Sequence, residues 1–417
     1  MEQLESLQFL TKNQVKEITK KWETPVYVYS EAKLLDRARK ALRFAAPYGL
    51  TVRYAMKANP NKYILKTFDV LGVKIDASSG YEAERAIKAG VAPENILITS
   101  QELPKKLEQL VVAGVGFNAC SLHQLHEYGK LFEGSNIGIR LNPGLGSGHS
   151  DKTNVGGPAS SFGIWHEQLD EVKEVANKYN LTIVRIHTHI GSGNDPKIWT
   201  KAAKLTLEMT KKFKNVRVIN LGGGFKVARM KGETDTDLGK ISNIIESELK
   251  SFYKTTGRKL KLEIEPGTFL VANAGALITT IIDIVNTGKD GYTFIKVNSG
   301  MTDILRPGLY GAQHPVIVNN YDPVKVKKYI VVGHCCESGD LLTPEEDDPT
   351  SLEERQLQKA NIGDQLVIEG AGAYCSSMSA KNYNSFPSGA EVMIKTDGEI
   401  IEVSRPETLE DVIRLEN

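Results

Sequence analysis

The chain reads as an α/β protein, a (β/α)8 barrel of the TIM type joined to a C-terminal β-rich domain that also takes the N-terminal strand. Three observations lead there. Between residues 50 and 267, eight short apolar runs recur, most of them separated by amphipathic stretches, the alternation a barrel of parallel strands requires. Past Gly275 that alternation stops, and short strands with turn residues between them take over. The length of 417 residues exceeds one ordinary domain, and a 41% hydrophobic content suffices for a large buried core.

Residues 1–22 contain no long apolar run, which argues against both a secretory signal and a membrane span. TPVYVYS at 24–30 is a strand of β-branched and aromatic residues after a proline. The eight barrel strands are expected within LTVRYAM, GVKIDAS, NILITS, FNAC, IGIRLNP, LTIVRIHTHI, VRVINLGGG and LKLEIEPG. Stretches such as EAERAIKAG, PKKLEQLVVAG and EQLDEVKEVANKYN supply helices between them. The barrel is thus expected over 31–275, and the β-rich domain over 1–30 and 276–417. In the latter, ALITTIIDIVNT, TFIKVNS, PVIVNN, KKYIVVGH, DQLVIEG and AEVMIKTDGEIIEV read as strands, and the acidic segment at 340–356 as a solvated loop.

Charge narrows the function. Fifty-two basic residues nearly cancel 51 acidic ones, leaving a net charge of +1 and no basic stripe of the kind nucleic-acid binding needs. The four cysteines form no CxxC pair or other zinc-like spacing, which fits a reducing, cytoplasmic setting.

Several polar motifs fall at the C-terminal ends of the expected barrel strands, the face where such barrels do chemistry. In YAMKANPN, Lys57 follows a strand and precedes a turn. It is either an exposed structural lysine or a partly desolvated amine able to form a Schiff base with an aldehyde. HTHIGSG places His187 and His189 on one side of a strand. A metal pair is one reading, but no convincing third ligand appears. The alternative is an aromatic plate at His189 beside a small hydrogen-bonding turn. Gly222, Gly223 and Gly224 in NLGGGF form either a tight turn or a phosphate cradle, and their late position favours the cradle. Glu265 in EIEPGTF is a turn-capping acid, a general base, or the partner of a protonated ring nitrogen.

Three further motifs lie in the β-rich domain: ILRPGLYGAQHP, HCCESGDLL and GAGAYCSSMSAKNYNSFP. Arg306 and Tyr310 could share a pocket and grip a carboxylate, since arginine offers a planar fork of donors. Cys336, Glu337 and Asp340 form a group of proton donors and acceptors close in sequence. Tyr374, in an apolar Gly-Ala-rich stretch, is either a core residue or a ligand.

In this order the motifs resemble the alanine-racemase-type (fold type III) pyridoxal-phosphate decarboxylases, over essentially the whole chain. The segment at 140–157, RLNPGLGSGHSDKTNVGG, is most similar to the diaminopimelate decarboxylases of bacteria. The resemblance implies pyridoxal 5'-phosphate as cofactor, held covalently by Lys57 with His189 stacked on its ring. Ser192, Gly222, Gly223, Gly224 and Tyr374 would bind its phosphate, and Glu265 would keep its ring nitrogen protonated. Arg306, Tyr310 and Glu337 would read the far end of an amino-acid substrate. Cys336 would donate a proton at the reacting carbon, with Cys336 and Glu337 reaching a partner's site, so that a homodimer with shared active sites is implied. The reaction implied is meso-diaminopimelate to L-lysine plus CO2.

Three positions depart from the family pattern. Thr268 replaces the usual arginine after EPG, a position near the cofactor phosphate and the substrate's distal carboxylate. Ser161 replaces a lysine, and Phe386 replaces the arginine of a YNSRP-like segment. These losses keep open a second reading: decarboxylation of another free or conjugated (di)amino acid, as in siderophore or other secondary metabolism. A non-catalytic cofactor carrier would lack the β-rich domain and the CESGD segment. Racemases of this fold place an arginine where Glu265 stands.

Overall fold

The chain, seen in a computed structural model, is described at residues 4–145, 156–189, 191, 193, 195–320 and 325–417. It divides into two compact units, one of residues 35–226 and 235–270, the other of residues up to 34, 227–234 and 271–417. The first helix, Lys12–Lys21, begins at a capping box in which Thr11 and Gln14 satisfy each other's backbone N–H. Its buried Val15 and Ile18 pack beside strand β1 (Val26–Ser30), whose residues are all buried.

The barrel forms from β2 (Leu50–Ala55), β3 (Lys74–Ala77), β4 (Ile96–Thr99), β5 (Gly116–Ala119) and β6 (Asn136–Asn142), then, after the two-residue β7 (Ile164–Trp165), from β8 (Thr182–Thr188), β9 (Val218–Asn220) and β10 (Lys261–Ile264). Among the described residues, eight of these run parallel and close on themselves: β2 pairs with β10, β5 with β6, and β6 with β8, while β7 sits beside β6. Strands covered on both faces need near-continuous apolar sequence, and ILIT of β4 is buried at all four positions. One cluster of charge inside the barrel is paired. Glu263 accepts from Arg53 at 3.0 Å and forms an ion pair with Arg185 at 3.0 Å, and all three side chains are largely or wholly buried.

The other unit holds β11 (Gly275–Asn286), β12 (Thr293–Val297), β13 (Val316–Asn319), β14 (Val326–Val332), β15 (Pro344–Glu345), β16 (Asp348–Leu352), β17 (Arg355–Gln358), β18 (Gln365–Ile368), β19 (Ala390–Ile394) and β20 (Ile400–Ser404). The N-terminal strand is threaded into this sheet, as the sequence implied: β1 lies antiparallel to β11 and parallel to β19. The acidic segment at 340–356 departs from expectation, because β15 and β16 form a hairpin there and β17 begins within it and pairs with β14. Glu345, Glu346 and Asp347 occupy the exposed turn, with Asp347 at φ 62°, while Leu341, Leu342 and Pro344 are buried. A half-buried strand needs few apolar residues, so the acidic composition masked it.

Candidate active site

Each barrel motif follows the strand expected to carry it. Lys57 sits in a short 3-10 turn, Met56–Ala58, directly after β2. Met56 and Ala58 are buried, so they anchor the turn while Lys57 stays exposed. Tyr54 fixes the chain beyond that turn by donating to the Asn59 carbonyl at 2.9 Å. His189 comes after β8, Gly222–224 after β9, and Glu265 after β10. Parallel strands have their C-terminal ends on one face, so these residues share the barrel mouth. Ser192 lies outside the described residues, as does most of the segment 140–157.

The glycines are demanded by close approach. A Cβ on Gly222 would fall 2.7 Å from the His189 ring, and one on Gly223 would fall 2.1 Å from the Glu265 carbonyl oxygen. Gly222 also holds φ 70°, where an L side chain is strained. The imidazole therefore lies against bare backbone, and the Gly224 carbonyl accepts from the Gly193 N–H at 3.0 Å.

Glu265 is buried and doubly bonded. Its Oε2 meets His187 Nε2 at 2.9 Å, and its Oε1 accepts from Asn220 Nδ2 at 2.6 Å. Burial opposes its charge, but His187, His189 and Asn220 outweigh burial and hold the carboxyl well below the usual range. Burial also keeps His187 neutral, against the pull of Glu265. Neutral His187 then donates from Nε2, and its Nδ1 has no partner among the described residues. His189 is held neutral by burial first, then by the cations Arg140 and Lys57. Asp76, at the end of β3, is pushed far up by burial and by the charge of Glu265, while Lys57 pulls it the other way. Asp76, Asn220 and Arg140 were missed as site residues. The strand-end rule that found Glu265 applies equally to Asp76 in GVKIDAS.

In the β-rich unit, Arg306 and Tyr310 share one short helix, Arg306–Tyr310, and both are half-buried. Arg306 Nε approaches His314 Nε2 at 3.4 Å, and His314 is fixed by donating from Nδ1 to the Glu369 carbonyl at 3.0 Å. Cys336 and Glu337 are exposed. Asp340 is not their acid–base companion: it is 3% exposed and spends its oxygens on the N–H groups of Met301 and Cys335 at 2.6 and 2.8 Å. It therefore shapes the loop that presents Cys336. Tyr374 is a half-buried aromatic residue at φ 56°, a conformation costing roughly 1–3 kcal/mol that tends to persist where function requires it.

The three departures have separate surroundings. Thr268 opens the short helix Thr268–Val271 and is half-buried. Ser161 is exposed and accepts from Gln101 at 3.2 Å. Phe386 stacks on His334 with ring centroids 3.7 Å apart and planes 9° off parallel. His334 in turn meets Thr302 Oγ1 at 2.8 Å. An aromatic contact stands where the resemblance implies a cation.

The barrel mouth fits pyridoxal phosphate: an amine at Lys57, an imidazole pressed on a glycine loop, the backbone N–H groups of Gly223 and Gly224 beside a Gly222 whose own N–H is held by Asn220 Oδ1 at 2.8 Å, and an anionic carboxylate at Glu265. Comparison with known proteins agrees. Residues 32–272 match the family model described as pyridoxal-dependent decarboxylase, pyridoxal binding domain. Diaminopimelate decarboxylase of Escherichia coli K12 is 34% identical over 403 residues, covering 94% of this chain and 93% of its own. A crystal structure of diaminopimelate decarboxylase superposes with TM-score 0.90 at 32% identity, covering 98% of this chain and 97% of its own. The M. jannaschii enzyme in complex with L-lysine gives 0.86 at 26% identity, with 96% and 94% covered.

Proposed function

This chain belongs to the pyridoxal-dependent decarboxylases, and we propose that it converts meso-diaminopimelate to L-lysine and CO2. The observation that carries the reading is Glu265, a buried carboxylate held anionic by His187 and Asn220 on the strand-end face that bears Lys57. Pyridoxal phosphate, when bound, supplies the electron sink that lets an α-amino acid lose its carboxylate.

The chain's own residues do the rest. The Lys57 amine would hold the cofactor's aldehyde carbon. The N–H groups at Gly223 and Gly224, together with Ser192 and Tyr374, would hold its phosphate, with Gly222 shaping the loop through its N–H bond to Asn220 Oδ1, and the strained backbone at Tyr374 supports that role. His189 would back the ring, supported by its seat on Gly222. Glu265 would keep a proton on the ring nitrogen, for which it needs to remain an anion.

Arg306 and Tyr310 would hold the substrate's distal carboxylate, with Thr268 adding a neutral hydrogen bond, and Glu337 would hold the distal ammonium. Cys336 would return a proton to the carbon that lost CO2. Exposure of Cys336 and Glu337 in a single chain supports their service in a partner's site, hence a homodimer, and the setting proposed is the cytoplasm. The second reading, another free or conjugated diamino acid, is favoured only by the uncharged Thr268, Ser161 and Phe386. Measuring CO2 release from a panel of amino acids decides between them. Turnover of a conjugated diamino acid with none of meso-diaminopimelate refutes the first reading.

A further inference from the structure

We propose that Arg229 is the second cation of the substrate site, holding the distal carboxylate together with Arg306. The inference rests on the reading of Arg306 as the residue that grips that carboxylate. Arg229 belongs to the segment 227–234, which is part of the β-rich unit although it is flanked in sequence by the barrel.

Its position is fixed at both ends. The backbone N–H donates to Glu233 at 2.7 Å, and the carbonyl accepts from Gln8 at 3.3 Å. Along the side chain, Nε donates to the Gly370 carbonyl at 3.1 Å. Gly370 leaves the room, because a Cβ there would lie 3.0 Å from Arg229 Cγ and Cδ. What remains is the outer end of the fork: Nη2 is buried and has no acceptor among the described residues. An arginine fixed at Nε with an unused Nη2 is set to complete a bond to an oxygen anion.

Arg306 is placed near it. His314 lies against Arg306 Nε, and the fields of both guanidiniums reach its ring: burial first, then Arg229 and Arg306, hold His314 neutral. The same two cations act on the buried Cys375 thiol. Burial and the charge of Arg306 bring Arg229 down to about 9. Two like charges are thus gathered where the low dielectric magnifies their repulsion.

The charge of Glu233 acts on Arg229, but it counts for less than burial and the repulsion of Arg306. Among the described residues no ion pair engages Arg229 or Arg306. Glu233 accepts from the backbone N–H groups of Arg229 and Met230. The Glu369 carboxyl accepts from the Gln8 N–H, and burial pushes it up to about 7. Two half-buried cations brought together without an ion-pair partner are costly, and a carboxylate brought by the substrate removes that cost. Arg229 and Arg306 belong to the same unit, so together they would supply the two cations that the resemblance assigns in part to residue 268.

The test compares holoenzymes: wild type, Arg229→Gln, Arg229→Lys and Arg306→Gln. Calorimetry measures binding of L-lysine, which retains the distal carboxylate, and of 1,5-diaminopentane, which lacks it. Kinetics with meso-diaminopimelate run alongside. Arg229→Gln should weaken L-lysine and raise KM by at least about 30-fold, the loss expected when one partner of a buried charge pair is removed. The value of kcat should change far less, since ground and transition states share this contact. Binding of 1,5-diaminopentane should not move, and Arg229→Lys should recover much of the loss. The proposal is overturned if Arg229→Gln leaves lysine binding and KM intact while Arg306→Gln destroys them. It is also overturned if Arg229→Gln weakens pyridoxal phosphate but not pyridoxal, which would assign the anion to the cofactor. Equal damage in the glutamine and lysine variants with a lowered Tm would mean a role in folding and overturn it too. A wild type that neither binds L-lysine nor turns over meso-diaminopimelate removes the parent reading itself, a result distinct from the others.

Discussion

Glu265 Oε2 lies 2.9 Å from His187 Nε2, and this bond helps decide the charge of a buried acid in the barrel mouth. His187 stays neutral by burial and donates, so Glu265 remains a carboxylate rather than sharing a proton. Replacing Glu265 with Gln removes the anion while nearly keeping the shape. The loss in kcat should be on the order of 10²–10³, the scale for deleting one preorganised electrostatic group.

His187→Phe makes a sharper test. Without the donor, the folded pKa of Glu265 rises toward its ordinary value, so the carboxylate protonates at higher pH than in wild type. The acid limb of kcat against pH should therefore move upward. An unchanged limb would show that His189 and Asn220 hold the anion without His187.

Lys57 should carry the cofactor. The pure protein should be yellow, and borohydride should bleach the band and fix the cofactor to the chain. Lys57→Ala should bind the cofactor without that reducible linkage. Covalent trapping in Lys57→Ala, located by peptide mapping, would assign the attachment to another amine.

Chains inactive for different reasons should complement each other if sites are shared. Mixing Lys57→Ala with Cys336→Ala and allowing exchange makes about half of the dimers mixed, each with one native site, so recovery should approach about one quarter of wild-type activity. Zero recovery after verified exchange would confine each site to one chain.

The barrel was legible because its signals are local. ILIT is a short apolar run bounded by turns, and Lys57, His189, Gly222 and Glu265 each stand one or two residues past a strand end. What escaped depends on contacts distant in sequence. Asn220 gains meaning only from the Glu265 oxygen it bonds, 45 residues away. Arg229 looks like a surface cation in VARMKGE until Gly370 is found against its side chain. The strands at 344–358 were hidden by their own exposed acids, and Asp340 looked catalytic until its oxygens proved to be engaged by backbone N–H groups.

Glu369 makes the fold sensitive to pH. Burial raises its carboxyl from 4.5 to about 7, so between those values the folded chain holds a proton that the unfolded chain has released. Stability is then fully present below about 4.5 and falls as pH rises through 7. Glu369→Gln should flatten that fall in Tm. A slope identical to wild type would place the titration elsewhere.

Thr268 tests whether the substrate site is short of charge. By resemblance, an arginine after EPG serves the distal carboxylate, and a threonine donates one neutral hydrogen bond where charge-assisted ones are roughly twice as strong. If Arg229 already supplies the second cation, Thr268→Arg adds a third, and its repulsion offsets part of the new bond. In an otherwise native chain the gain in kcat/KM for meso-diaminopimelate should then be small, within about threefold. In the Arg229→Gln background the same substitution replaces a missing cation and should raise kcat/KM at least about tenfold, equivalent to about 1.4 kcal/mol of recovered binding. A large gain in the native chain would mean that the site lacks a cation and that Arg229 does not fill the place. No gain in either background, with turnover of meso-diaminopimelate intact, would show that this enzyme recognises the distal carboxylate without residue 268.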